Sequence, residues 1–263
     1  MGYNIVKICF MCDLHLPFDK NALQYDVLKW AIDDVVKKKA DCIAFAGDVT
    51  CDGNEAVFDY FVNSMSSIDI PFLYIPGNSD LRNKESCKSL KHKASPCKNK
   101  IGEITIYAIN DCERTISDNQ LSEIDFADSD SIVFMHHPIQ SLHDSSRAKF
   151  LKWREAHKNT KLFYGHLHRS EFFENSISLQ AMDPDKAIGE NPCITYYDTS
   201  TKRLRKSYYF SPVPNDIYDY FGISCYKPVE QIKFAIENKL KNLELRPNCV
   251  DVEQGELLKY IEQ

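Results

Sequence analysis

The chain has 263 residues, of which 43% are hydrophobic and 27% charged, and a formal net charge of −6. That suits a globular protein with a sizeable core, as one large domain or one domain plus an appendage. It disfavours a general nucleic-acid-binding surface, and no apolar run reaches membrane-spanning length.

Ten cysteines raise the question of disulfides or a thiolate metal site. Cys9 and Cys12 lie three apart in a β-like run and so point to opposite faces, and no second close pair exists. Reduced, mostly buried thiols in a cytoplasmic protein are expected, with no basic-plus-apolar leader at the start.

Residues 4–12 form a nearly continuous apolar run, as in a central strand, ending at Asp13-Leu14-His15. In extended backbone Asp13 and His15 project to the same side, so a carboxylate and an imidazole leave the strand end together. Capping of the next turn is an equally good reading of Asp13 alone. Leu23, Val27, Leu28, Ala31, Ile32, Val35 and Val36 then recur at helical spacing, closed by Lys37-Lys38-Lys39. A second strand, Cys42–Ala46, runs into Gly47-Asp48, and a helix over 55–65 follows. A third strand, 71–75, ends in Pro76-Gly77-Asn78-Ser79-Asp80. Strand–helix–strand–helix–strand is the pattern of a buried, largely parallel sheet, whose strand ends are where ligands are expected.

Between Arg82 and Lys100 seven basic residues face one acid, Glu85. This reads as an exposed helix and loop or as a positive lip attracting phosphorylated substrates. A strand over 101–110, a short helix over 117–124 and a strand over 131–135 follow, the last ending in His136-His137-Pro138. A helix over 145–157 precedes the strand Leu162-Phe163-Tyr164, which enters Gly165-His166-Leu167-His168. Segments 177–182, 192–198 and 204–210 read as antiparallel strands, with a turn at 199–202. His92, His143 and His157 read as surface residues.

Five strand ends therefore carry Asp13/His15, Asp48, Asn78, His136 and His166/His168. Carboxylates, an amide and imidazoles suit hard-to-borderline divalent ions, and the set exceeds what one tetrahedral ion needs. It suits two ions sharing a carboxylate.

In this order the motifs Asp-x-His, Gly-Asp, Gly-Asn, a lone His after a strand and Gly-His-x-His resemble those of the calcineurin-like metallophosphoesterase superfamily, over residues of about 4–210. The resemblance implies an α/β fold of two packed mixed β-sheets flanked by helices, in four layers. It implies two divalent ions (Mn, Fe or Zn), one held by Asp13, His15 and His168 and the other by Asn78, His136 and His166, with Asp48 bridging. It also implies attack of a metal-bridging hydroxide on the phosphorus of a small phosphodiester or phosphomonoester. His136 is preferred to His137 because the family places the ligand two residues before proline.

The chain departs from the pattern at Ser79, where the family usually has a histidine that contacts the phosphate and protonates the leaving group. Serine is no acid near neutral pH, and losing a general acid costs about 10²–10⁴ in rate for a poor leaving group. His137, or a metal-bound water, is the expected substitute. Asp80-x-Arg82 resembles the corresponding segment of cyclic-nucleotide phosphodiesterase-like members, which leans toward diester cleavage. It marks Asp80 as catalytic and Arg82, with Asn78, as substrate-binding. Competing readings are a metal-binding scaffold for protein interaction and a nuclease for structured DNA. The filled ligand set weighs against the first and the acidic charge against the second.

Residues 1–211 form the expected phosphoesterase domain. Beyond a linker around Pro212–Asn215, residues 212–263 read as a small βαβα appendage, similar to the opening of a sugar-phosphate isomerase-type barrel.

Overall fold

In the computed structural model, residues 6–210 are described. The expected appendage, residues 212–263, lies outside them. Strand β1 (Lys7–Met11) is buried from Ile8 onward, as a central strand must be. It pairs in parallel with β2 (Cys42–Ala46) and antiparallel with β10 (Cys193–Asp198). With β3 (Phe72–Ile75) and β11 (Arg203–Tyr208) this makes a five-stranded mixed sheet in the order β11-β10-β1-β2-β3. The second sheet is six-stranded, β4-β5-β6-β7-β9-β8, from β4 (Lys98–Ile101), β5 (Ile104–Ala108), β6 (Ile132–Met135), β7 (Lys161–Tyr164), β8 (Glu171–Phe173) and β9 (Ser176–Ser178).

The alternation of β1 sorts its side chains between two cores. Ile8, Phe10 and Cys12 face the second sheet and pack with Ala44, Ala46, Ile106, Phe134 and Phe163. Phe10 stacks on Phe163 with ring centroids 3.8 Å apart, pinning the sheets together. Cys9 and Met11 face the other way, under α1 (Leu23–Lys37) and α2 (Glu55–Ser66). α1 buries Val27, Leu28, Ala31 and Val35 on that face, and each large apolar side chain so buried contributes about 1.5–3 kcal/mol. α4 (Asp118–Ile124) and α5 (Asp144–Ala156) cover the outer face of the second sheet through Ile124, Phe150 and Trp153. The order helix, sheet, sheet, helix gives the four expected layers. Helix starts carry local signals. Asn54 Oδ1 accepts from Val57 N at α2, and Ser117 with Gln120 forms a capping box at α4.

Three sequence expectations change. The single strand expected over 101–110 is the β4–β5 hairpin, because Gly102 takes φ +57° and turns the chain back. The 177–182 segment is shorter: only Ser176–Ser178 is strand, parallel to β7 and antiparallel to β8. The lysine-rich stretch, with its four-residue helix α3 (Cys87–Leu90), is partly neutralised: Lys91 meets Glu113 and Lys93 meets Glu55 and Asp59, while Arg82, Lys84 and Lys88 are exposed. Among the described residues eight cysteines are free, and no helix is long and apolar enough to cross a membrane.

Candidate metal centre

The loops after β1, β2, β3, β6 and β7 converge at the carboxyl ends of their strands. Backbone hydrogen bonds tie them together: Asp13 N donates to Gly47 O, His15 N to Asp48 O and Gly165 N to His136 O. The turns that aim the side chains inward are strained. Asp13, His15, Asp48, His166 and His168 all have φ between +50° and +70°. Each such residue costs about 1–3 kcal/mol, and strain of this kind gathers where surrounding structure enforces it for function. Close approach also dictates two glycines. A Cβ on Gly77 would lie 2.2 Å from Asp48 Oδ1, and one on Gly47 would lie 2.6 Å from His136 Nδ1.

Asp48 stands in the middle. Its Oδ2 lies 3.7 Å from His15 Nε2 and its Oδ1 3.4 Å from His136 Nε2. On the first side His168 Nε2 is 3.6 Å from Asp13 Oδ1 and 3.2 Å from His15 Nε2. On the second, His136 Nε2 is 3.0 Å from Asn78 Oδ1, and the His136 and His166 rings are 5.2 Å apart. Two donors about 2.0–2.2 Å from one ion stand roughly 3–3.5 Å apart, so these spacings fit ion positions on both sides of Asp48. One ligand atom from each of Asp13, His15, Asp48 and His168 falls within 4.8 Å of the others, and the same holds for His136, His137 and His166. His136 Nδ1 lies 2.9 Å from the Ala46 carbonyl, and donating there leaves Nε2 for an ion. The donor set therefore fits a pair of divalent ions.

Charge is distributed unevenly. Burial pushes the pKa of His15 down to about 3 and that of His166 to about 4, and lowers that of His168. All three imidazoles are thus neutral near pH 7, as ligands must be. Asp48 is held below the usual carboxylate range: burial opposes its charge, but His136, His15 and the Ser79 N–H outweigh it. Burial, and secondarily the Asp48 charge, lift Asp13 to about 7. Burial works against a charge on His136, yet Asp48, Asp13 and Asp111 raise it to about 9. His136, held above its ordinary range, carries a proton at pH 6 that an ion must displace, and Asp13 is pushed the same way by burial. Loading two divalent ions at that pH is expected to release about one to two protons per chain. Titration calorimetry in two buffers of different ionisation heat measures this, and a release near zero would contradict it.

Several expected site residues sit differently. Asp80 is fully buried and faces away from the ion positions: Val49 N, Thr50 N, Thr50 Oγ1 and Gly77 N all donate to its carboxylate. With both oxygens so engaged it ties the Asp48 and Asn78 loops together. Ser79 is buried beside Asp48, its Oγ donating to Thr50 O and its N to Asp48 Oδ1. Arg82 is exposed and donates from Nη1 to Cys51 O at the rim. His137 is fully buried, its ring 4.7 Å from that of His166. Its Nδ1 faces Asp111 Oδ2 at 3.2 Å, and its Nε2 has no hydrogen-bond partner.

Sequence reasoning missed Asp111. This buried carboxylate accepts from the backbone N–H of both His136 and His137 and so sets the His136-His137 turn. The available signal was its place just after β5, a strand end like the others.

The model of the family described as calcineurin-like phosphoesterase matches residues 6–182. The chain belongs to that family. A dimetal phosphatase from Danio rerio is similar at 11% identity and a TM-score of 0.54, over 73% of this chain and 92% of that one. A purple acid phosphatase from yellow lupin seeds is similar at 11% identity and 0.56, over 79% of this chain and 54% of that one. A protein from Thermus thermophilus is similar at 12% identity and 0.50, over 78% of this chain and 99% of that one. At these identities the likeness shows the fold alone. No curated protein matches the chain.

Proposed function

We propose that this phosphoesterase is a dinuclear-metal phosphohydrolase acting on a small phosphorylated substrate. Asp13, His15 and His168 would hold one ion, Asn78, His136 and His166 the other, and Asp48 both. The observation that carries this reading is the division of Asp48, one oxygen toward His15 and the other toward His136. Two bound divalent ions would activate water and neutralise charge building on the phosphoryl oxygens. The nitrogen and oxygen donors suit Mn, Fe or Zn.

The chain's own residues supply the rest. Asp80 and Asp111 fix the loops and keep the donors at their spacing. Arg82, exposed and anchored on Cys51 O, is the candidate contact for phosphoryl oxygens. His137, with Nδ1 on Asp111 and Nε2 unpartnered, is the candidate proton source for a poor leaving group. A His137→Ala variant that keeps the wild-type rate on such a substrate removes it from that role. Of the Asp80-x-Arg82 pair that leans toward diesters, only Arg82 stands at the rim. The eight cysteines free among the described residues fit a cytoplasmic setting. Against a non-catalytic metal-binding scaffold stands the filled set of seven ligand positions, which a scaffold freed from catalysis need not keep.

The test is hydrolysis of p-nitrophenyl phosphate and bis-p-nitrophenyl phosphate by metal-stripped full-length protein, with Mn²⁺, Zn²⁺, Mg²⁺ or no metal added. Metal-dependent turnover is expected. Its absence with every metal, while ions are bound, would favour the scaffold.

A further inference from the structure

The turn after β6 buries two imidazoles, His136 and His137, with ring centroids 4.7 Å apart. β7 runs parallel to β6 and Gly165 N donates to His136 O, so the loop after β7 brings His166 against both. Its ring stands 5.2 Å from that of His136 and only 4.7 Å from that of His137. One ring nitrogen from each of the three falls within 4.8 Å of the others. Two donors on opposite sides of one ion stand about 4.2 Å apart, so a small adjustment gathers all three around it.

The two nitrogens of His137 are in opposite situations. Nδ1 lies 3.2 Å from Asp111 Oδ2 and 3.1 Å from Asp111 O, so a proton there has its acceptor. Donation from Nδ1 leaves Nε2 as a bare lone pair, and that atom is buried with no hydrogen-bond partner. A buried acceptor without a donor is costly unless a cation takes it. An imidazole with its Nδ1 proton on a carboxylate and its Nε2 lone pair free is how proteins present histidine to a metal. Asp111 fastens the turn twice more, accepting from His136 N and His137 N at 2.8 Å each.

We propose that His137 Nε2 is a further ligand of the ion held by Asn78, His136 and His166, and that Asp111 is the carboxylate that orients it. This rests on the dinuclear phosphohydrolase reading and adds a fifth protein residue to that half, beside Asp48, Asn78, His136 and His166. Bound to the ion, Nε2 carries no proton. A part in protonating the leaving group therefore begins only when a phosphoryl oxygen has taken its place at the ion.

The test is long-range proton–nitrogen NMR of the histidine rings in wild-type, metal-stripped full-length protein, titrated with up to two equivalents of Zn²⁺. Coordination shifts the bound nitrogen itself, whereas a ring that is merely close keeps its resonance nearly unchanged. Five of the eight histidines are expected to respond: His15, His136, His137, His166 and His168. His92, His143 and His157 should not move, and His137 should respond at Nε2 while Nδ1 keeps its proton. Four responding histidines, with His137 unchanged, would overturn the proposal and leave the dinuclear reading standing. No response at any histidine would overturn that reading, and this proposal with it. In calorimetry, His137→Ala should weaken one of the two Zn²⁺ ions about tenfold or more and leave the other within about threefold. Asp111→Asn should weaken the same ion about tenfold, and His143→Ala, at an exposed position, should change neither. Unchanged affinity for both ions in His137→Ala would likewise overturn the assignment, since a group that only delivers a proton does not hold an ion.

Discussion

Asp48→Asn is expected to abolish metal-dependent hydrolysis, by about 10³-fold or more, while leaving the fold intact. Asparagine keeps the shape and one carbonyl oxygen, so the hydrogen bond from Ser79 N can persist. What disappears is the second anionic oxygen and the charge itself. His136 loses its largest source of charge stabilisation, and Asp13 loses a neighbour that raises it. Both therefore titrate closer to their ordinary values in the variant, and one carboxylate no longer serves both halves. The checks are ion content per chain, turnover of either nitrophenyl ester and the thermal midpoint. Turnover within a few-fold of wild type would show that Asp48 does not join the two halves.

Asp80→Ala should do the opposite: it strikes the fold first. The side chain is fully buried and accepts four hydrogen bonds, from Val49 N, Thr50 N, Thr50 Oγ1 and Gly77 N. Removing the acceptor leaves buried donors unpaired at about 1–3 kcal/mol each, and partial relaxation and water entry bring the expected total loss to about 3–5 kcal/mol. The loops bearing Asp48 and Asn78 would loosen together, so ion affinity falls with stability. Urea unfolding of metal-free protein measures the first effect and ion titration the second. A group acting directly in catalysis would behave otherwise, with turnover lost and urea stability unchanged, and that outcome would restore the catalytic role that Asp80-x-Arg82 suggests in sequence.

The strand ends were legible because each apolar run closes on a glycine or a polar pair. The runs before Asp48, Asn78, His136 and His166 became β2, β3, β6 and β7 within a residue, and the run over 4–12 became β1 over Lys7–Met11. What a linear pattern does not carry is the direction a side chain takes after the strand. Asp80 stands two residues from Asn78, but a single 3-10 turn over Ser79–Leu81 rotates it into the protein. Ser79 turns with it. The lysine cluster misleads for a different reason, since its acidic partners Glu55, Asp59 and Glu113 lie on other elements. Asp111 escaped notice because it sits in no spaced motif; it acts through where its loop is fastened, and the bond from His136 N to Asp111 joins segments far apart in the chain.

The most direct measurement is the number of divalent ions bound per chain, by elemental analysis after equilibration of metal-stripped protein with Mn²⁺ or Zn²⁺ and removal of excess. Two ions per chain in wild type, with ion content falling when Asp48 is replaced by asparagine, is the predicted result. No retained ion, or a full complement that survives the loss of Asp48, would contradict a centre built around that carboxylate.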